Sequence, residues 1–499
     1  MNTLIKLIEQ QQIQYSKQKD KEYLKNNSQF FTPYNIALKM IHAIDINNYI
    51  NKKTLYILEP SAGFGMLIAS LIIFIIKNDK KNSIKTIYVD AYETENKISK
   101  TLDSNLKLIK HTLKENYNIS FNYNIIKNNF ITSNKRIWTS NKKYKQYDII
   151  ISNPPFDKIN QTSSESIVMN DIVHGQPNLY TLFIAMSLKL LNNNGVYVVL
   201  SPRNYLNGTY STKLREFIFK NYNLKYLHSF EKRTIFNFVF QEVIISSYVR
   251  KNDTNINKDI TISYNGHHSF KTSLNNIISN KDNLSIILPK TKEELLIFNH
   301  SNFKYKLEDI NLKISVGPVV QFRENYVSKN IFSENSNPLL VNIDILDNNK
   351  IDYYKRINSR KTHNKSISKN SKRLIDNSNY VIIRKITAKN NCNLLLAAVL
   401  HEDFFNTDKI GLDNNLVYIH KLDNSKMSIK ECYGIYCYIS SSYFKKIYSL
   451  INGTHTINIS DFNNIKFPSK EVLLKLGDEL LATGNYTEKE CDNVLAKYI

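Results

Sequence analysis

YDIIISNPPF, residues 147–156, joins an apolar run to two prolines and an aromatic ring. Tyr147 to Ile151 reads as a strand buried on both faces, because isoleucines succeed one another without polar alternation. Pro154 and Pro155 then stop it. Each lacks a backbone N–H and has a fixed φ, and each presses the residue before it toward extended geometry. The backbone after Ser152 is therefore stiff and cannot continue a ladder. Two readings stand at this point. The turn is a rigid stop, or it holds the Asn153 amide and a freed carbonyl over a ligand.

Upstream and downstream, strands alternate with helical patterns. TLYILEP (54–60), TIYVDAYE (86–93), NYNIIKNNF (122–130) and GVYVVLSP (195–202) read as further strands, and MLIASLIIFII (66–76) and LYTLFIAMSLKLL (179–191) as helices. Strand alternating with helix predicts βαβ units and a parallel sheet covered on both faces. In such sheets ligands bind beyond the carboxyl ends of the strands, so the residues at those ends carry the functional reading.

The first strand runs into EPSAGFG (59–65), whose glycines allow a tight turn and a close backbone approach to a ligand. The second ends at Glu93, placed to take the hydroxyls of a ribose. The turn is not GxGxxG, and Glu59 would repel a pyrophosphate. An adenosine-bearing ligand with positive charge and no phosphate suits these residues better, and S-adenosylmethionine is one. Asn129 and Phe130 supply an amide for an adenine edge and a ring for its face.

In this order the motifs resemble the N6-adenine DNA methyltransferases of the γ arrangement. QFFTP (29–33) is similar to their N-terminal motif and EPSAGFG to their first cofactor motif. YETE (92–95), NNF (128–130), SNPPF (152–156), NLYTLF (178–183) and GVYVVLSP come next, and RTIFNFVFQEVIIS (233–246) resembles their late aromatic hairpin. The resemblance implies a Rossmann-like α/β methyltransferase sheet and the cofactor S-adenosyl-L-methionine. It implies that Thr32, Glu59, Ala62 and Gly63 hold the methionine part, Glu93 the ribose, and Asn129, Phe130 and Phe183 the adenine. Asn153 borders both cofactor and substrate. Asn153 and Pro154, stiffened by Pro155, would accept the two N–H bonds of a flipped-out adenine, with Phe156 stacked on its face and Phe236 on the other. The chain departs from the pattern at Asn129, where many relatives have Asp. Phe183 reads equally well as a core residue of an amphipathic helix.

Residues 288–499 are irregular in pattern, and within them KISVGPVV (313–320), NYVIIRKITAKNN (379–391) and the stretch 433–469 are similar to the target-recognition region of Eco57I-like type II modification enzymes. Residues 351–390 carry 11 Lys and Arg against two Asp, and the whole chain has a net charge of +23. Such a surplus implies a polyanionic partner, although AT-rich coding also enriches lysine. Double-stranded DNA is the expected partner. Gln321 and Arg384 have side chains able to contact a base, but each is more often a plain surface or structural residue. The expected organisation is a helical lead-in at 1–28, a catalytic domain at 29–250, a connector with a small hairpin at 251–287, and a mixed α+β DNA-binding domain at 288–499.

Other classes fit less well. The cysteines Cys392, Cys432, Cys437 and Cys491 form no CxxC pair, so no metal site is expected. The 66–76 run is about half a bilayer span. A cytoplasmic, monomeric protein without membrane association is expected. Residues 1–28 are too few for a nuclease domain, which leaves room for a separate restriction endonuclease. Methyltransferases of RNA or protein glutamine share the Asn-Pro-Pro-aromatic turn and remain the alternative, as does a DNA-binding specificity protein without activity.

Overall fold

A computed structural model describes residues 2–26, 29–140, 145–231, 242–251, 259–265, 268–299, 303–324, 326–346, 349–354, 364–386, 395–452 and 456–499. The chain forms two units, Met1–Lys292 and Glu293–Ile499.

The first unit is built on nine strands: β1 (Thr54–Glu59), β2 (Thr86–Tyr92), β3 (Ser120–Ile126), β4 (Tyr147–Ser152), β5 (Leu191–Pro202), β6 (Tyr222–Ser229), β7 (Val243–Arg250), β8 (Asp259–Tyr264) and β9 (His268–Ser273). Their order in the sheet is β3-β2-β1-β4-β5-β7-β6-β8-β9. From β3 to β5 every pair is parallel, as the strand-helix alternation predicts. Beyond β5 the expectation of a parallel sheet fails. β7 pairs antiparallel with both β5 and β6, β8 lies parallel to β6, and β9 returns antiparallel along β8. Among the described residues no helix lies between Asn221 and Leu274, and without a crossover helix β6 with β7, and β8 with β9, pair antiparallel. β8 instead passes β7 to lie on the far side of β6.

The helix Met66–Asn78 is apolar around most of its circumference because most of it is buried. The helix Asn2–Gln18 adds Leu4, Ile5, Ile8 and Tyr15 to the same core. Between β1 and β4 the chain leaves the sheet in opposite directions, which opens a crevice at the carboxyl ends.

The second unit contains a four-stranded antiparallel sheet in the order Leu312–Val316, Leu416–Lys421, Tyr380–Arg384, Ala397–Leu400. A five-stranded mixed sheet and four helices of eight residues or more after Met427 complete its described part. This is the mixed α+β architecture expected from the sequence. Two of the helices, Ile429–Ser440 and Lys470–Thr483, cross at paired glycines. A Cβ on Gly434 would lie 1.8 Å from the Leu473 carbonyl oxygen, and one on Gly477 would lie 1.9 Å from that of Lys430. Among the described residues no helix is long and apolar enough to cross a membrane, and no three His, Cys, Asp or Glu cluster as metal ligands.

Candidate active site

A cavity of about 340 Å³ opens at the carboxyl ends of β1, β2 and β4. Thr32, Glu59, Ala62, Gly63 and Glu93 line one part of it. Asn129, Phe130, Asn153, Pro155 and Phe183 line another. The residues proposed from the sequence to hold one cofactor thus surround one space.

Glu59 ends β1 and is 1 % exposed. The backbone N–H of Ile68, in the helix Met66–Asn78, favours its charged form. Its Oε2 is buried with no partner among the described residues. Burial, with added repulsion from Glu93, pushes its pKa well above the ordinary range. A lone buried carboxylate oxygen beside a cavity is a fit for a cationic ligand group, which would favour its charged form.

Glu93 braces the same turn. Its Oε2 accepts the Gly63 N–H at 3.0 Å, and its Oε1 accepts the Glu95 N–H at 2.8 Å. Burial raises its pKa, and these backbone donors oppose the shift. Gly63 has φ +53° and Gly65 has φ +84°, a region that favours glycine. A Cβ on Gly65 would also come within 2.8 Å of Leu102. Both glycines keep this cavity-lining turn tight.

Asn153 is oriented by the QFFTP segment. Its Nδ2 donates to the Phe30 carbonyl at 2.9 Å and to Thr32 Oγ1 at 3.1 Å. A carbonyl oxygen can only accept, so the nitrogen must face it. Oδ1 is then left as an acceptor without a partner among the described residues. The Asn153 backbone carbonyl is taken by Ser61 Oγ at 2.9 Å, whereas no described group donates to the Pro154 carbonyl. Pro154 is buried and Pro155 half-buried. Phe156 is half-buried, with its ring edge-on to Tyr180 at 6.2 Å. It does not line the cavity itself. Phe236 lies outside the described residues.

Asn129 and Phe130 do not end a strand, as the sequence pattern suggests. β3 stops at Ile126, and Asn129 caps the short helix Phe130–Ser133. The Asn129 Oδ1 accepts from the backbone of Ile131 and Thr132, at 3.0 and 3.1 Å. Its Nδ2 donates to Glu165 Oε1 at 2.8 Å. Asn is a favoured cap residue, and this competition with the strand ladder ends the strand early. Phe130 and Phe183 are buried with ring centroids 5.0 Å apart, and Phe130 also meets Tyr92 edge-on.

Sequence reasoning missed Ser61, which anchors the Asn153 carbonyl, and Phe31, whose ring lies 3.4 Å from where a Gly63 Cβ would be. Both lie inside motifs already singled out, so their position was the available signal. In the second unit, Gln321 and Arg384 each spend side-chain donors on the protein itself, which favours their structural reading over base contact.

Residues 39–236 match the family model described as Eco57I restriction-modification methylase. This stretch is an Eco57I-like methylase domain. The chain around that methylase domain is 27 % identical over 498 residues to the type II methyltransferase M.BsuBI of Bacillus subtilis, covering 95 % of each. It is 25 % identical to M.PstI of Providencia stuartii, over 88 % of this chain and 87 % of that one. Among solved structures, the ATP-dependent Type ISP restriction-modification enzyme LlaBIII bound to DNA aligns with a TM-score of 0.50 at 12 % identity, over 92 % of this chain and 40 % of that one. The matched stretch carries the Rossmann-like part of the first unit's sheet.

Proposed function

We propose that this chain is a site-specific DNA methyltransferase that transfers the methyl group of S-adenosylmethionine to N6 of an adenine turned out of the duplex. The observation that carries the reading is the Asn153 amide. Its nitrogen is bound by Phe30 and Thr32, so its oxygen is the acceptor left at a cavity that also holds a buried carboxylate. The Pro154 carbonyl, next in the chain, is unbonded among the described residues, although Pro154 does not itself line the cavity.

S-adenosylmethionine supplies an electrophilic methyl carbon on a positively charged sulfur. Glu59 would balance that positive charge and hold the ammonium end, beside Thr32, Ala62 and Gly63. Glu93 would take the ribose, and Asn129, Phe130 and Phe183 the purine. Adenine N6 is a poor nucleophile because its lone pair is delocalised into the ring. Asn153 Oδ1 and the Pro154 carbonyl would accept its two N–H bonds and draw the nitrogen toward tetrahedral geometry. The bound cofactor would supply the methyl group to that lone pair, and the amine proton would pass to solvent. Holding both partners in line supplies much of the rate. Phe156, half-buried and edge-on to Tyr180, would pack against the target base, and Phe236 would meet its other face. A target atom inside a duplex requires that the base be flipped out. The basic second unit would bind phosphates. The relatives are type II methyltransferases, so a separate endonuclease that cuts unmethylated sites is the expected companion.

The test is incubation of the protein with genomic duplex DNA and labelled S-adenosylmethionine, followed by digestion to nucleosides. N6-methyladenine that disappears in Asn153→Ala supports the reading. Label on cytosine would overturn the base, and label on RNA or protein but not DNA would overturn the substrate.

A further inference from the structure

The turn after strand Leu312–Val316 in the second unit is clamped on several sides. A Cβ on Gly317 would lie 2.2 Å from the Asp413 carbonyl oxygen. The Val319 N–H donates to Leu412, and the Asn414 N–H returns to Val319, at 3.0 and 2.9 Å. Gln321 is used at both ends, with Nε2 donating to Asp413 Oδ2 at 2.5 Å and Oε1 accepting from Asn364 at 3.0 Å. Arg373 donates to the Pro318 carbonyl at 3.1 Å and pairs with Glu324 at 3.5 Å.

On this braced turn Phe322 is 81 % exposed, the most exposed large apolar side chain among the described residues. The Arg323 guanidinium lies 5.2 Å from its ring centre. Tyr326, four positions on, is 54 % exposed. The neighbouring segment, laced to the turn through Asn364, Ser371 and Arg373, adds exposed Lys369 and Lys372. Glu324, the acid within the turn, is occupied by Arg373 and Ser371. An exposed aromatic ring on a braced turn, with the Arg323 guanidinium against it and exposed lysines on the segment tied to that turn, matches a polyanion with flat apolar faces inside it. Phe322 has no hydrogen-bonding group, so it cannot read a base edge. It can stack on a base or enter a base step.

We propose that Phe322 is a wedge that inserts into the bases of duplex DNA while the surrounding cations hold the phosphates. The assignment rests on the DNA methyltransferase reading and goes beyond it by naming the residue and its mode of contact. It is tested on a duplex carrying a methylation site mapped by sequencing the modified product. Binding is read by anisotropy across a salt series, and base unstacking by 2-aminopurine placed at successive positions.

Phe322→Ala should weaken duplex binding at least about fivefold, the lower end for loss of one stacked base. It should abolish the 2-aminopurine signal at one step and leave the salt dependence unchanged. Phe322→Trp should keep both affinity and signal. Lys372→Ala should instead reduce the salt slope, by about one unit for a lost phosphate contact. Unchanged S-adenosylmethionine affinity and melting temperature control for folding. A Phe322→Ala protein that binds, unstacks and methylates like wild type overturns the wedge alone. A wild-type protein that binds cofactor but neither binds nor methylates duplex DNA overturns the functional reading, and the wedge with it.

Discussion

The side-chain nitrogen of Asn153 donates to the carbonyl oxygen of Phe30 at 2.9 Å, a contact between residues 123 positions apart. Thr32 supplies the second acceptor from the same segment. The N-terminal motif therefore orients the amide on which the proposed chemistry depends. Thr32→Val removes one acceptor and keeps the shape of the side chain. With Phe30 still in place, the single-turnover methylation rate at saturating cofactor should fall roughly three- to tenfold, the net worth of one hydrogen bond. An unchanged rate would show that Thr32 does not orient Asn153.

Glu59 should make the free protein and its complex with the proposed cofactor respond oppositely to pH. Its folded pKa is raised by burial, so the neutral form is favoured in the folded state. The stability it contributes is fully present below the unfolded value of 4.5 and is lost as pH rises through the folded value. Cofactor affinity should rise over the same window, because the ionised carboxylate meets a cation. Glu59→Gln should flatten both trends. At neutral pH it should be more stable than wild type without cofactor, and it should bind S-adenosylmethionine roughly tenfold or more weakly. Thermal melts and calorimetry from pH 5 to 8 give both readings.

His228 sets an acid limit on the first unit. It is buried, with Nδ1 3.1 Å from Ser263 Oγ and Nε2 without a partner among the described residues. Burial, reinforced by the charge of Lys39, pulls its pKa from 6.5 down to about 4. The neutral ring is thus the folded form, and its contribution is lost as pH falls from 6.5 through about 4. The loss amounts to on the order of 3 kcal/mol. His228→Phe keeps a ring beside Phe230 and Tyr226 and removes the titration. Urea unfolding at pH 7 and pH 4 should show a smaller acid loss in the variant.

Gly434→Ala should destabilise the second unit by about 3 kcal/mol or more, because the added methyl meets the Leu473 backbone and the helices must separate. Denaturant unfolding measures the cost. The affinity for S-adenosylmethionine, measured well below the melting temperature, should be retained, since every residue lining the cavity belongs to the first unit.

By itself the sequence determined the parallel half of the sheet. Continuous apolar strands such as Tyr147–Ser152, alternating with helical periods, allow few other arrangements. It also determined which residue types gather at the strand ends, because the carboxyl ends of neighbouring parallel strands share one crevice. Glu59, Glu93 and Asn153 were legible for that reason. The antiparallel half of the sheet, built from strands beyond Asn221, was not legible, since strand pairing depends on long-range register that local pattern does not carry. Nor was the true setting of Asn129, whose cap bonds compete with the ladder over only a few residues. Only the tertiary structure decided which atom of Asn153 is spent and which is left. That choice rests on a carbonyl supplied by a distant segment, and a hydrogen bond between remote residues exists only once the chain has folded around it.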